Sequence, residues 1–271
     1  MAGPVKIAMC GALGRMGQKI IQVIGARQDM AVTGAVERPD CPQLGQSIGP
    51  LVGEASLSVM LTDDLKTAGQ GADMYIDFTS PASSLKYLRE AADMGLAAVI
   101  GTTGLSEAQR EELATAAKKI PVLWAPNMSI GVNVMYKIAA AMVKMLGPDY
   151  DLEIVEAHHR LKKDAPSGTA VKLYETLAQA RGLDPVTSMV TGRAGQVGER
   201  TDNEIGVMAI RGGDIVGDHT VYFCGPGERL ELTHRVHTRD TLAQGAVRAA
   251  AWLAGRKPGL YSIDDTLSLD N

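Results

Sequence analysis

The chain has 271 residues, 45% hydrophobic and 21% charged, with a formal net charge of −4, enough for one large or two ordinary domains of soluble composition. Aromatic residues are only 4% and no Lys/Arg block dominates, which argues against a nucleic-acid partner, since that needs a basic footprint and stacking platforms. Cys10, Cys41 and Cys224 are isolated with no C-x-x-C spacing, no apolar run approaches the ~20 residues of a membrane span, and no signal-peptide pattern opens the chain, so the expectation is a cytoplasmic protein with reduced thiols, no metal and no membrane contact.

Val5 to Cys10 is a short apolar run of the kind that forms a buried parallel strand. "GALGRMG" follows, with Gly11, Gly14 and Gly17, and then apolar residues recur at Met16, Ile20, Val23 and Ile24 in helical spacing, with Gly25 as a stop. "MAVTGAVE" predicts a second strand ending near Glu37. "ADMYIDFT" predicts another, broken by Ser80-Pro81, with a helix to about Met94 and Gly95 at its end. "LAAVIG" is a strand whose exit turn is "TTG"; Ser106 and Gln109 form a capping box for the next helix; "PVLWAP" is a further strand. Strand and helix in this rhythm predict a Rossmann-like, doubly wound parallel sheet.

A strand, a glycine turn and a helix N-terminus make an anion site. The helix dipole favours negative charge, backbone N–H groups point outward, and glycine lets a pyrophosphate come close. The spacing G-x-x-G-x-x-G is weak by itself. Its place at the first strand strengthens it, as does Glu37, 20 residues past Gly17, at the offset of an acid that takes the ribose hydroxyls of NAD. Arg38 follows and could hold the 2′-phosphate of NADP, so both cofactors stay open.

The pattern changes at "APNMSIGVN". A helix follows to Leu146, and then come longer strands, "DLEIVEAH" and "EIGVMAIRGGDIVGDHTVYFCGPGERLELTHRV", the latter read as three strands joined at Gly212-Gly213 and Gly225-Pro226-Gly227. This predicts a second, α+β domain over 130–238 with a mostly antiparallel sheet. It is inserted into a dinucleotide domain of 1–129 and 239–271, to which a closing helix with Leu242, Ala246, Ala249 and Leu253 on one side returns. All five histidines fall in the second domain; His219, His234 and His237 read as structural strand residues.

"EAHHRLKKDAPSGTA" runs from Glu156 to Ala170. On a continuing strand His158 and His159 point apart, and His158, Arg160 and Lys162 share a side. Pro166-Ser167-Gly168-Thr169 opens an amphipathic helix that ends at Gly182, and its free N–H groups and the Thr169 hydroxyl suit a carboxylate. The plain alternative is a capped helix after a solvated Lys-Lys loop; spacing alone leaves the two readings level.

This stretch resembles the pattern E-x-H-H-x-x-K-x-D-x-P-S-G-T-A of the 4-hydroxy-tetrahydrodipicolinate (dihydrodipicolinate) reductase family. "GALGRMG", "DFTSP", "GTTG", "APNMSIGVN", "AIRGGDIVGDHTV" and "GERLELTHR" extend the likeness over nearly the whole chain. The resemblance implies reduction of a cyclic imine dicarboxylate by NADH or NADPH in diaminopimelate and lysine synthesis, by a homotetramer joined through its second domains. It implies His158 as general acid/base, Lys162 as proton donor, and His159, Gly168 and Thr169 as substrate contacts. The implied cofactor contacts are Gly11, Ala12, Leu13, Gly14, Arg15 and Met16, then Glu37 and Arg38, then Gly101, Thr102 and Thr103, then Ala125, Pro126, Asn127 and Met128. Met128 stands where relatives commonly carry an aromatic. Rival readings are another two-domain dehydrogenase of amino-acid metabolism and a non-catalytic NAD(P) sensor; the His-His-x-x-Lys group counts against the sensor.

Overall fold

The strands of the first half read as near-continuous apolar runs because they are buried on both faces. A computed structural model describes residues 3–238 and 240–267. The chain divides into two units, Met1–Ile130 with Asp240–Asn271, and Gly131–Arg239. In chain order the first stretch runs β1 (Val5–Cys10), α1 (Arg15–Gly25), β2 (Met30–Val36), α2 (Ile48–Val52), β3 (Leu61–Thr62), α3 (Leu65–Ala68), β4 (Met74–Asp77), α4 (Pro81–Met94), β5 (Ala97–Ile100), α5 (Glu107–Ala116) and β6 (Pro121–Trp124). Then come α6 (Ile130–Leu146), β7 (Asp151–His158), α7 (Gly168–Arg181), β8 (Met189–Val190), β9 (Ile205–Arg211), β10 (Gly217–Gly225), β11 (Glu228–Val236), α8 (Asp240–Leu253) and β12 (Gly259–Tyr261).

In the first unit seven parallel strands lie in the order β12-β6-β5-β4-β1-β2-β3. Alternation along β1 sends Ile7 and Met9 into one core with α1 and α8, and Ala8 and Cys10 into a second core with α3, α4 and α5. The strand order reverses between β1 and β4, and ligands of such sheets bind beyond the strand C-termini at that point. The capping box at Ser106 and Gln109 is formed, and Gly95 ends α4 in the left-handed conformation with φ 73°. The short β3, β8 and β12 carry too few residues for a pattern to mark them.

The second unit has a five-stranded sheet in the order β11-β10-β7-β9-β8. β10 pairs antiparallel with β11 and β7, whereas β7 with β9 and β9 with β8 pair parallel, so the sheet is mixed. The reason is two returns of the chain, through α7 between β7 and β8 and through the segment 191–204 between β8 and β9, each long enough to bring it back in the same direction. One face carries Leu152, Ile154, Val207, Val221 and Phe223, packed with Met135, Ala139 and Val143 of α6 and Leu173 and Leu177 of α7. The segment 191–203 is fastened to the opposite face: Arg193 and Arg200 both bond Glu153. Among the described residues, no helix is long and apolar enough to cross a membrane, and no group of three or more His, Cys, Asp or Glu is placed to hold a metal.

Candidate functional site

In the first unit the reversal point gathers three loops. Gly11, at φ 77°, turns the chain out of β1; its N–H and that of Ala12 both donate to the Val36 carbonyl of β2, at 2.9 and 3.1 Å. Gly14 is the N-cap of α1 with no side-chain cap, so the first-turn amides of α1 face outward. A Cβ on Gly17 would run into the Gly11 carbonyl and stand 2.9 Å from Ala12 Cα. The glycine thus permits the helix to approach the turn, as a pyrophosphate cradle requires. Glu37 reaches back to this turn: its Oε2 accepts from Leu13 N–H at 3.1 Å and its Oε1 from Arg38 N–H at 3.1 Å. Arg38 is exposed and pairs with Asp40 at 3.2 Å.

The second and third loops hang on Asp77, which is fully buried at the end of β4. Its carboxylate accepts from Thr79 Oγ1 at 2.5 Å, from Thr102 Oγ1 at 2.9 Å and from the Ser84 hydroxyl. Thr79 N–H donates to Thr102 Oγ1 at 3.1 Å, and Trp124 Nε1 donates to the Thr102 carbonyl at 3.1 Å. Gly101 N–H donates to Asp77 O at 2.9 Å, and a Cβ on Gly101 would overlap the Phe78 ring. Burial pushes the Asp77 carboxyl up, against the pull of its hydroxyl partners. Ala125 continues from β6 with its N–H on the Ile100 carbonyl at 3.1 Å. The Met128 side chain is 1% exposed and sits in the core, and its carbonyl abuts Gly245 of α8.

In the second unit β7 ends at His158, because the chain turns there: Lys162 N–H donates to the His159 carbonyl at 3.0 Å and Arg160 N–H to the Gly213 carbonyl at 3.2 Å. His158, Arg160 and Lys162 therefore do not share one strand face. His158 Nδ1 lies 2.6 Å from Glu156 Oε2. Glu156 is fully buried, receives Arg211 on both oxygens at 2.7 Å, and accepts Ser167 N–H at 2.9 Å. Burial pushes this carboxyl up, but the Arg211, His158 and Ser167 hydrogen bonds prevail and hold it below the ordinary range. His219 lies edge-on to His158 with ring centroids 5.2 Å apart, and its Nε2 is 3.0 Å from Ser167 Oγ. Burial, reinforced by His158, pushes His219 down to about 4, so it is neutral at physiological pH. Ser167 caps α7 by accepting Ala170 N–H at 3.2 Å.

Next to this cap, a side chain on Gly168 would meet nothing within 4 Å, so the helix end opens on free space. Tyr136 bonds the Thr169 side chain, and burial raises its phenol to about 12. Lys162 pairs with Asp164 at 2.9 Å, and that hydrogen bond lowers the Asp164 carboxyl. The buried Nδ1 of His159 has no hydrogen-bond partner.

Residues 5–128 match the family model for the N-terminus of dihydrodipicolinate reductase, and residues 131–267 match the model for its C-terminus. The chain belongs to the dihydrodipicolinate reductase family. It is 51% identical over 265 residues to a 4-hydroxy-tetrahydrodipicolinate reductase of Citrifermentans bemidjiense, covering 98% of this chain and 99% of that one. The corresponding enzyme of Anaeromyxobacter dehalogenans is 48% identical over 264 residues, covering 97% and 98%. A dipicolinate-bound dihydrodipicolinate reductase from Paenisporosarcina sp. TG-14 shares the fold with a TM-score of 0.79 at 24% identity, covering 97% of this chain and 99% of that chain. An amine dehydrogenase from Mycobacterium smegmatis has the same fold at a TM-score of 0.63 and 16% identity, covering 96% and 95%.

As a dihydrodipicolinate reductase the chain carries its expected residues in two groups. Gly11, Ala12, Leu13, Gly14, Arg15, Met16, Glu37 and Arg38 lie at the glycine turn and the end of β2, and Gly101, Thr102, Thr103, Ala125, Pro126, Asn127 and Met128 lie on the exits of β5 and β6. Ala12 and Met128 are buried, at 0% and 1% exposure. His158, His159, Lys162, Gly168 and Thr169 lie between β7 and the start of α7. Sequence reasoning passed over Asp77, Glu156 and Arg211, and read His219 as a structural strand residue. Glu156 was legible, since its i, i+2 spacing from His158 puts both on one strand face. Arg211 and His219 come from β9 and β10, and only strand register brings them in.

Proposed function

We propose that this protein is the cytoplasmic 4-hydroxy-tetrahydrodipicolinate reductase of diaminopimelate and lysine synthesis. It converts the hydroxylated cyclic imine dicarboxylate to tetrahydrodipicolinate: one hydride and one proton are gained, and one water leaves. The observation that carries this reading is an imidazole held by a buried carboxylate that also holds the open N-terminus of α7.

The first unit fits a nicotinamide dinucleotide. The Gly11–Gly14–Gly17 turn and the uncapped start of α1 would hold the pyrophosphate. Glu37 would take the ribose hydroxyls of NADH and Arg38 the 2′-phosphate of NADPH, so both cofactors serve. The loops at Gly101–Thr103 and Ala125–Met128 would hold the remainder through their backbone. When bound, the cofactor supplies the hydride.

The second unit binds and protonates the substrate. The α7 N-terminus at Gly168 and Thr169, with His159, holds the carboxylates of the ring, and the positive end of the helix favours that charge. Charge develops on the ring as hydride arrives. Lys162 leaves Asp164 to stabilise it and donates a proton, while His158 acts as the positioned acid–base group. The face of the sheet opposite α6 and α7 carries Val155, Met208, Tyr222 and a 51% exposed Ile210, which supports assembly of a homotetramer through the second units.

The test follows loss of nicotinamide absorbance by purified protein, with substrate generated in place by the preceding synthase from pyruvate and aspartate semialdehyde. Synthase-dependent oxidation of NADH and NADPH is expected. No oxidation of either despite measurable cofactor binding would overturn the reading. Light scattering on the same sample reads the tetramer; a monomer at assay concentration would remove that part of the proposal.

A further inference from the structure

We infer that Glu156, held by Arg211, is the positioning residue that fixes His158 in one tautomer and ties it to the start of α7. This rests on the reading of His158 as the proton-transfer group. A carboxylate with no exposed surface must be compensated on both oxygens. Glu156 is: Oε2 takes Arg211 Nη1 and His158 Nδ1, at 2.7 and 2.6 Å, and Oε1 takes Arg211 Nη2 and Ser167 N–H, at 2.7 and 2.9 Å. An anionic carboxylate can only accept, so the Nδ1 of His158 carries the proton. The other nitrogen, Nε2, is then the one that exchanges protons. It faces Gly217, where a Cβ would stand 3.1 Å away, so any side chain there would crowd that edge of the ring.

The same carboxylate sets the geometry between two parts of the site. Through Ser167 it holds the N-cap of α7, and through His158 it holds the imidazole, so the acid–base group and the anion-holding helix end share one anchor. Arg211 extends the anchor to the loop between them by donating to the Asp164 carbonyl at 2.7 Å. A buried ion pair is a weak device for stability, whereas a base needs a fixed tautomer and direction to act.

The titratable and charged groups that face the imidazole are Glu156 on β7 and His219 on β10, with Arg211 on β9 sharing the Glu156 carboxylate; Lys162, paired with Asp164 on the loop, and His234 on β11 act on His219. Removing the Glu156 charge and removing the Arg211 charge should therefore act on His158 in opposite directions. Glu156→Gln takes away the anion that favours imidazolium. Arg211→Gln leaves that anion uncompensated.

Two measurements test this. In wild-type protein labelled with 15N-histidine, the His158 resonances, assigned by their loss in His158→Gln, should report the Nδ1–H tautomer; an Nε2–H tautomer would overturn the inference without reference to activity. In the kcat/KM profile, the limb that disappears in His158→Gln should move down by about one pH unit or more in Glu156→Gln and up in Arg211→Gln, as expected for a charge in contact with the ring. In both variants kcat should fall by about tenfold or more, with the NADH KM unchanged. Limbs that stay in place, or move together, would reduce Glu156 to a structural part. Circular dichroism checks folding; if Glu156→Gln does not fold, the tautomer and Arg211→Gln decide. Wild-type protein without reductase turnover would sink the reading of His158 instead, and leaves the tautomer measurement intact.

Discussion

Replacing Asp77 separates the cost of burying a charge from the value of its hydrogen bonds. Asp77→Ala removes the acceptor of three hydroxyls. Those of Ser84 and Thr102 are fully buried or nearly so, at 0% and 4% exposure, while Thr79 is half-buried and can turn to solvent. An unsatisfied buried hydroxyl costs about 1–3 kcal/mol, so two of them cost about 2–6 kcal/mol. Relief of carboxylate desolvation offsets part, which leaves an expected loss of about 2–4 kcal/mol. Asp77→Asn keeps one acceptor and should lose less than half as much. Both tryptophans, Trp124 and Trp252, lie in the first unit, so urea unfolding followed by tryptophan fluorescence reads that unit. The pH dependence has a definite sign. Burial raises the Asp77 carboxyl in the fold. Its contribution is therefore fully present below the unfolded value of about 4 and is lost as pH rises through the raised folded value. Wild type should hold its largest advantage over Asp77→Asn at acid pH and lose it as pH rises through the raised folded value. An advantage that grows with pH, or an Ala variant as stable as Asn, would refute the reasoning.

Gly17→Ala should weaken NADH binding by about tenfold, because its Cβ forces the glycine turn and α1 apart at about 1–3 kcal/mol; fluorescence titration checks it, and an unchanged Kd counts against the cradle. Arg38→Ala should raise the KM for NADPH more than that for NADH; equal losses would mean that Arg38 does not see the 2′-phosphate. His158→Gln and Lys162→Ala should each lower kcat by ~10²–10⁴-fold with cofactor binding retained, and a variant with full kcat removes its residue from the proton path.

The parallel sheet was legible because each strand is an apolar run closed by a turn signal: Gly11 after Cys10, Ser80-Pro81 after "MYIDFT", Gly95 before "LAAVIG". The glycine turn and Glu37 were legible for the same reason, as their relation is local spacing after one strand. β3 and β12 were not, since strands of two and three residues carry no period. His158, Arg160 and Lys162 share a side only on a continuing strand, and the chain does not continue as one: Lys162 N–H turns back to the His159 carbonyl. The burial of Met128 beside α8, a helix more than a hundred residues on, was not legible either, since no local pattern links the two.

The sequence by itself determined which chemistry the chain carries. The imidazole, the lysine, the capped helix and the glycine turn are contiguous motifs whose spacing alone states an anion site and a proton carrier. The tertiary structure decided which groups control them. Arg211 on β9 reaches Glu156 across a parallel pairing made by a helical crossover, and His219 reaches His158 across an antiparallel one. Asp77 joins loops that begin on neighbouring strands. Strand register arises from the packing of whole faces against α6 and α7 rather than from any local residue pattern, so these long-range partners appear only once the sheets are assembled.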